Sequence, residues 1–206
     1  MGVLGEDMKK RFHDDFFNLF KGIENATDEQ IERLKDLRNR INLKEDNFDN
    51  IHFLNAYAYA LGLDVDCKEL NPATYEPGLI GAAINRKNID YVRSLSMEDR
   101  LLFDTESLDM DCMVVPEDEK SLCTLDKDGY LSWVIAMYER RDYRYGSHFL
   151  RKTQNDNWIY KGFRGIRKFD DNEEPIMYIA DFGLQAWNGD YEDYDLVNTY
   201  KLRLKK

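Results

Sequence analysis

The chain has 206 residues, 43% hydrophobic and 13% aromatic, with a formal net charge of −11. That apolar share builds a real core and excludes a disordered chain, and the length suits one compact domain or a core domain with a helical extension. The acidity argues against general nucleic-acid binding, which needs clustered Lys and Arg to neutralise phosphates.

Met8, Phe12, Phe16 and Phe20 recur every fourth residue, predicting an aromatic ridge along a first helix. Thr27 with Gln30 has the spacing of a capping box and opens a second helix, whose apolar face is Ile31, Leu34, Leu37 and Ile41. A third helix starts near Asn55, which can cap it, and stops at Gly62. Asn71-Pro72 and Glu76-Pro77-Gly78 are turn signals. Residues 79–102 read as helical in pieces, interrupted by a polar cap at Ser96.

From about Met110 the texture changes. Asp126-Lys127-Asp128-Gly129 is a turn, and Tyr130 to Tyr138 is an apolar, β-favouring run fit for a central strand. His148 to Lys152 and Trp158 to Phe163 flank Thr153-Gln154-Asn155-Asp156-Asn157, the pattern of a hairpin. Ile176 to Phe182 and Leu196 to Leu204 supply further strands. Helices first and an antiparallel sheet second predict an α+β fold.

No apolar run reaches membrane-spanning length, and Met1 to Lys10 lacks the basic-then-apolar order of a signal peptide. The expected location is the cytoplasm, or export as an effector without a classical signal peptide; no membrane partner is expected. Cys67, Cys112 and Cys123 have no metal-ligand spacing and read as reduced, mostly buried thiols. No metal or cofactor is expected.

A thiol hydrolase needs a cysteine at the start of a helix, a histidine on the facing sheet to take its proton, and a polar residue to orient the imidazole. This chain has the matching order: the Asn55 helix, then His148 at the start of a strand, then Asp170 and Asp171 after the next strand. The segments Asn55-Ala56-Tyr57-Ala58-Tyr59-Ala60-Leu61, Glu76-Pro77-Gly78, Ser147-His148-Phe149-Leu150-Arg151-Lys152 and Asn157-Trp158-Ile159-Tyr160-Lys161 resemble a family of bacterial papain-like cysteine hydrolases. The family pattern is Asn-Cys-Tyr-Ala-Tyr-Ala-Leu, then Pro-Gly, a strand with His-Phe-x-Arg, then Gly-x-Trp-x-x-Lys and a later Asp. The similarity spans roughly residues 50 to 180.

The resemblance implies a papain-like core over residues 49–206, preceded by a helical extension over 1–48. It assigns the nucleophile position to Ala56, the general base to His148 and the orienting carboxylate to Asp170. Asn50 is a weaker oxyanion-hole candidate, by analogy with the upstream Gln of papain-like enzymes. The implied activity is acyl transfer on a protein or peptide substrate, first of all as a peptidase, with deamidation or transglutamination using the same constellation. Alanine has no thiol, so the chain as written forms no acyl-enzyme. Either an active enzyme was disarmed by engineering, which the intact remainder of the pattern favours, or the chain is a natural pseudoenzyme.

The plainer readings stand beside these. The Asn55 helix can be a small-residue core helix, His148 an ordinary strand histidine, and Asp170-Asp171-Asn172-Glu173-Glu174 a solvated turn. Asp181-Phe182-Gly183 copies a kinase segment, but no glycine-rich loop, strand lysine or His-Arg-Asp loop accompanies it. The Asp190-Tyr191-Glu192-Asp193-Tyr194-Asp195 run reads as an exposed loop. With the net charge, it motivates an alternative function: an acidic inhibitor or immunity-type protein that covers a basic partner surface.

Overall fold

In a computed structural model, residues 23–44, 56–64, 76–140, 147–162, 165–168 and 194–206 are described. The aromatic ridge of the first expected helix, the Asn71-Pro72 turn and the expected strand at 176–182 lie outside them.

Helix α1 (Asp28–Asp36) opens as its spacing predicts. Thr27 Oγ1 accepts from the Gln30 N–H at 3.2 Å, and the Gln30 side chain accepts from the Thr27 N–H at 2.8 Å. Ile31 and Leu34 of its apolar stripe are buried, and Leu37 follows them in a 3₁₀ turn (Leu37–Arg40). Helix α2 (Ala56–Ala60) stops where glycine allows it. Gly62 adopts a φ of +70°, its N–H reaches Tyr59 O, and the Leu63 N–H reaches Ala58 O at 2.9 Å. This pair of bonds is a Schellman closure, which needs a residue that tolerates the left-handed region.

The pieces expected over 79–102 are α3 (Leu79–Ile84), α4 (Ile89–Ser94) and α5 (Met97–Ser107). Asn88 caps α4 by accepting from the Asp90 N–H, and Ser96 caps α5 by accepting from the Asp99 N–H. Gly78, with φ +92°, turns the chain into α3; a Cβ there would run into Val92 Cγ1.

Among the described residues six strands follow: β1 (Asp111–Val115), β2 (Tyr130–Arg140), β3 (Ser147–Lys152), β4 (Trp158–Gly162), β5 (Gly165–Lys168) and β6 (Tyr194–Lys205). They form one sheet in the order β1-β6-β2-β3-β4-β5 with every pairing antiparallel. Strand β1 falls where the sequence shows only a change of texture. Its five residues pair with the far end of the chain, a contact that local pattern does not announce. The fold is α+β.

The two faces of the sheet differ. Trp133, Ile135, Met137, Phe149, Ile159, Tyr200, Leu202 and Leu204 alternate along their strands and join the helices in one hydrophobic cluster. Ile31, Leu34 and Leu37, from within the 1–48 stretch, belong to the same cluster. Val134, Ala136, Leu150 and Tyr160 point the other way and are also buried, so the sheet is covered on both sides at its centre. No helix among the described residues is long and apolar enough to cross a membrane.

Candidate functional site

Helix α2 is held against the sheet by three kinds of contact. The Tyr57 ring lies 4.8 Å from Phe149 between centroids, Trp133 Nε1 donates to Ala60 O at 3.0 Å, and the Arg151 guanidinium stacks over the Tyr59 ring at 4.2 Å. Arg151 is 1% exposed, so its charge is met inside the protein. Its Nη1 donates to Tyr59 O at 3.0 Å and to Asn42 O at 3.3 Å, and its Nη2 to Lys44 O at 3.3 Å. A planar five-donor cation suits this role, because one side chain can close several carbonyls at once. The segment before α2, the helix and strand β3 are thereby joined through one residue.

Ala56 begins α2 and is half-buried. Its neighbour Tyr57 is fully committed elsewhere: the hydroxyl donates to Asp104 Oδ2 at 2.7 Å. Asp104, 0% exposed on α5, also accepts from the Gly78 and Gly81 N–H groups, each at 2.6 Å. One carboxyl thus ties α5 to α2 and to the turn and first residues of α3. Burial pushes Asp104 up to about 7, while the Gly81 N–H, the Tyr57 hydroxyl and the Gly78 N–H pull it back. Burial, with the nearby Asp104 carboxyl, drives the Tyr57 hydroxyl well above its ordinary range, so the phenol keeps its proton.

His148 stands on strand β3, as expected, but on the face away from α2. Phe149 and Arg151 meet Tyr57 and Tyr59, so the odd-numbered residues of β3 face the helix. Alternation turns His148 and Leu150 to the other side. The contacts agree: Leu150 is the register partner of Tyr160, and the Tyr160 hydroxyl lies 3.0 Å from His148 Nδ1. The two rings meet edge to face at 5.8 Å. Burial pushes the imidazole down to about 4, leaving it neutral at pH 7. A neutral imidazole is the form a general base needs, yet the sheet itself separates it from the start of α2.

Asn50 and Asp170, with the substitute Asp171, lie outside the described residues, as do Cys67 and the Asp181-Phe182-Gly183 segment. Cys112 and Cys123 carry thiols rather than a disulfide. Burial pushes the Cys112 thiol up to about 12, the reverse of what a nucleophile requires. Among the described residues, no three His, Cys, Asp or Glu side chains are grouped to hold a metal ion.

The sequence reading missed Asp104. Its signal was available: Met97, Leu101, Asp104, Thr105 and Leu108 lie on one helical face, so an acid occupies the buried stripe. A carboxyl in such a stripe needs donors from other elements, and here the Tyr57 hydroxyl and the N–H groups of Gly78, Ile80 and Gly81 converge on it.

Comparison with protein-family models, with curated proteins and with solved structures finds no match to this chain.

Proposed function

We propose that this chain is a papain-like hydrolase scaffold that holds a protein or peptide partner without cleaving it. The observation that carries the reading is the pairing of α2 with β3. A small-residue helix precedes the antiparallel sheet in the chain and packs on the strand that bears the histidine, but with Ala56 at its start and His148 turned to the far face. Acyl transfer needs a thiolate and a base within hydrogen-bond reach of each other. Neither half of that requirement is met, which favours a natural pseudoenzyme over an active enzyme disarmed at one position.

The test is Ala56→Cys, made alone and with His148→Ala, followed by iodoacetamide labelling and peptide hydrolysis. The introduced thiol is expected to label no faster than an ordinary exposed thiol, at a rate indifferent to His148, with no hydrolysis. Fast labelling that His148→Ala slows, or turnover of a peptide, would restore the cysteine peptidase as the function of the family position.

The acidic inhibitor or immunity-type reading keeps one specific support among the described residues: Asp109, Asp111, Glu117 and Asp118 are all exposed around strand β1. It differs from the scaffold reading in needing no relation to α2 at all.

A further inference from the structure

Strand β1 ends the sheet, with β6 on one side and no second strand on the other among the described residues. Such an edge presents N–H and C=O groups ready to pair with another chain, and proteins normally guard it with Lys, Pro, a bulge or a very short strand. Within Asp111-Cys112-Met113-Val114-Val115 the one charge is Asp111, Pro116 comes only after the strand, and the register with β6 runs unbroken from Asp111↔Arg203 to Val115↔Thr199. Met113 and Val114 are 45% and 57% exposed. They face opposite ways: Val114 is paired with Tyr200 on the helix side, where Leu102 of α5 is also exposed, and Met113 is paired with Lys201 on the other. An added strand would therefore meet apolar side chains on both faces.

The exposed charge around this edge is mainly acidic, with Lys120 and Lys205 as exposed cations farther along the chain. Glu106, Asp111, Glu117 and Asp118 are exposed on either side of the apolar pair, while Asp109 beside them is paired with Arg38. Two cations of β6 beside it are engaged, Lys201 with Glu119 at 2.5 Å and Arg203 with Asp126 at 3.2 Å. We propose that the outer edge of β1 binds an extended peptide segment of another protein, carrying alternating apolar and basic residues, by adding it to the sheet as a seventh strand. Main-chain pairing supplies the affinity, and the acidic surround selects cationic partners and speeds their approach. A second copy of this chain fits poorly: each copy carries a net charge of −11, and the acids around the edge would be brought together.

The inference stands on β1 and does not depend on the fate of Ala56. It is tested with a fluorescein-labelled peptide of alternating Lys and Val, read by anisotropy, with an alternating Glu and Val peptide as control. The Lys peptide is expected to saturate in the micromolar range and to weaken by about tenfold between low and high salt. Met113→Lys with Val114→Lys, both at exposed positions, should abolish binding while the melting temperature holds. Three results overturn the proposal: no saturation at low salt, equal binding by the double-lysine variant, or equal binding of the Glu peptide. Light scattering that shows a dimer dissolved by the same double variant would assign the edge to a second copy and overturn it too. Restored peptidase activity in Ala56→Cys would leave it untouched.

Discussion

Asp104→Asn removes one charge from the centre of the molecule while nearly preserving shape, and its effect can be worked out group by group. In the native protein both carboxyl oxygens accept: Oδ1 from the Gly81 N–H, Oδ2 from the Gly78 N–H and the Tyr57 hydroxyl. An asparagine keeps the bond to Gly81, and Tyr57 can rotate its hydroxyl to accept from the new amide. The Gly78 N–H then faces a donor and is left without an acceptor, which costs about 1–3 kcal/mol for a buried group. The pH dependence runs the other way. Asp104 titrates at about 7 in the folded protein against an ordinary 3.8, so between those values the folded state binds more protons than the unfolded one. Wild-type stability from this group is therefore fully present below pH 4 and declines as pH rises toward 7. The whole swing between those two values is on the order of 4 kcal/mol.

Asparagine does not titrate. The variant should thus be the less stable protein by about 1–3 kcal/mol near pH 4.5, and should close or reverse that gap by pH 8. Urea unfolding followed by tryptophan fluorescence at several pH values measures it, since Trp133 is fully buried and reports the core. A gap that widens as pH rises would refute the reasoning. It would mean that the donors outweigh desolvation and hold the carboxyl ionised.

Other expectations follow from the same contacts. Gly78→Ala combines a φ of +92° with a Cβ driven into Val92, and should destabilise by about 2 kcal/mol or more in the same unfolding assay. Arg151→Met leaves the carbonyls of Asn42, Tyr59 and Lys44 without their shared donor; a loss of about 3 kcal/mol and faster proteolysis of the segment before α2 are expected. His148 should stay neutral in an NMR titration down to about pH 4, and Tyr160→Phe should alter its ring shifts at pH 7. Because its folded value is depressed, this imidazole contributes stability that is lost as pH falls from 6.5 toward 4. A normal titration near 6.5 would show that burial does not control it. Cys112 should resist iodoacetamide in the folded protein at pH 8 and label readily in urea.

Much of the architecture was legible because its signals are local. The Thr27–Gln30 box, the Ser96 cap, the Gly62 stop, the Asp126–Gly129 turn and the Thr153–Asn157 hairpin each depend on residues within a few positions of one another. Short-range hydrogen bonds, side-chain in the caps and backbone in the turns, fulfil them without help from the rest of the chain: the Asp126 N–H reaches Tyr130 O at 2.7 Å, and the Thr153 N–H reaches Asn157 O at 2.8 Å. The α+β class followed from the switch of apolar period between the two halves. Strand β1 was not legible, since five mixed residues become a strand only through pairing with β6.

The site divides along the same line. Sequence by itself determined which residue types are present: a small-residue helix without a thiol at Ala56, one histidine on the following sheet, an acid within a helical stripe. Tertiary structure alone decided how they relate. A one-residue difference along β3 sends Phe149 to the helix and His148 to the opposite face, because side chains alternate across a sheet. That parity depends on which face of the sheet α2 covers, and helix-to-sheet packing fixes it through Tyr57 against Phe149, Arg151 against Tyr59 and Trp133 against Ala60 O.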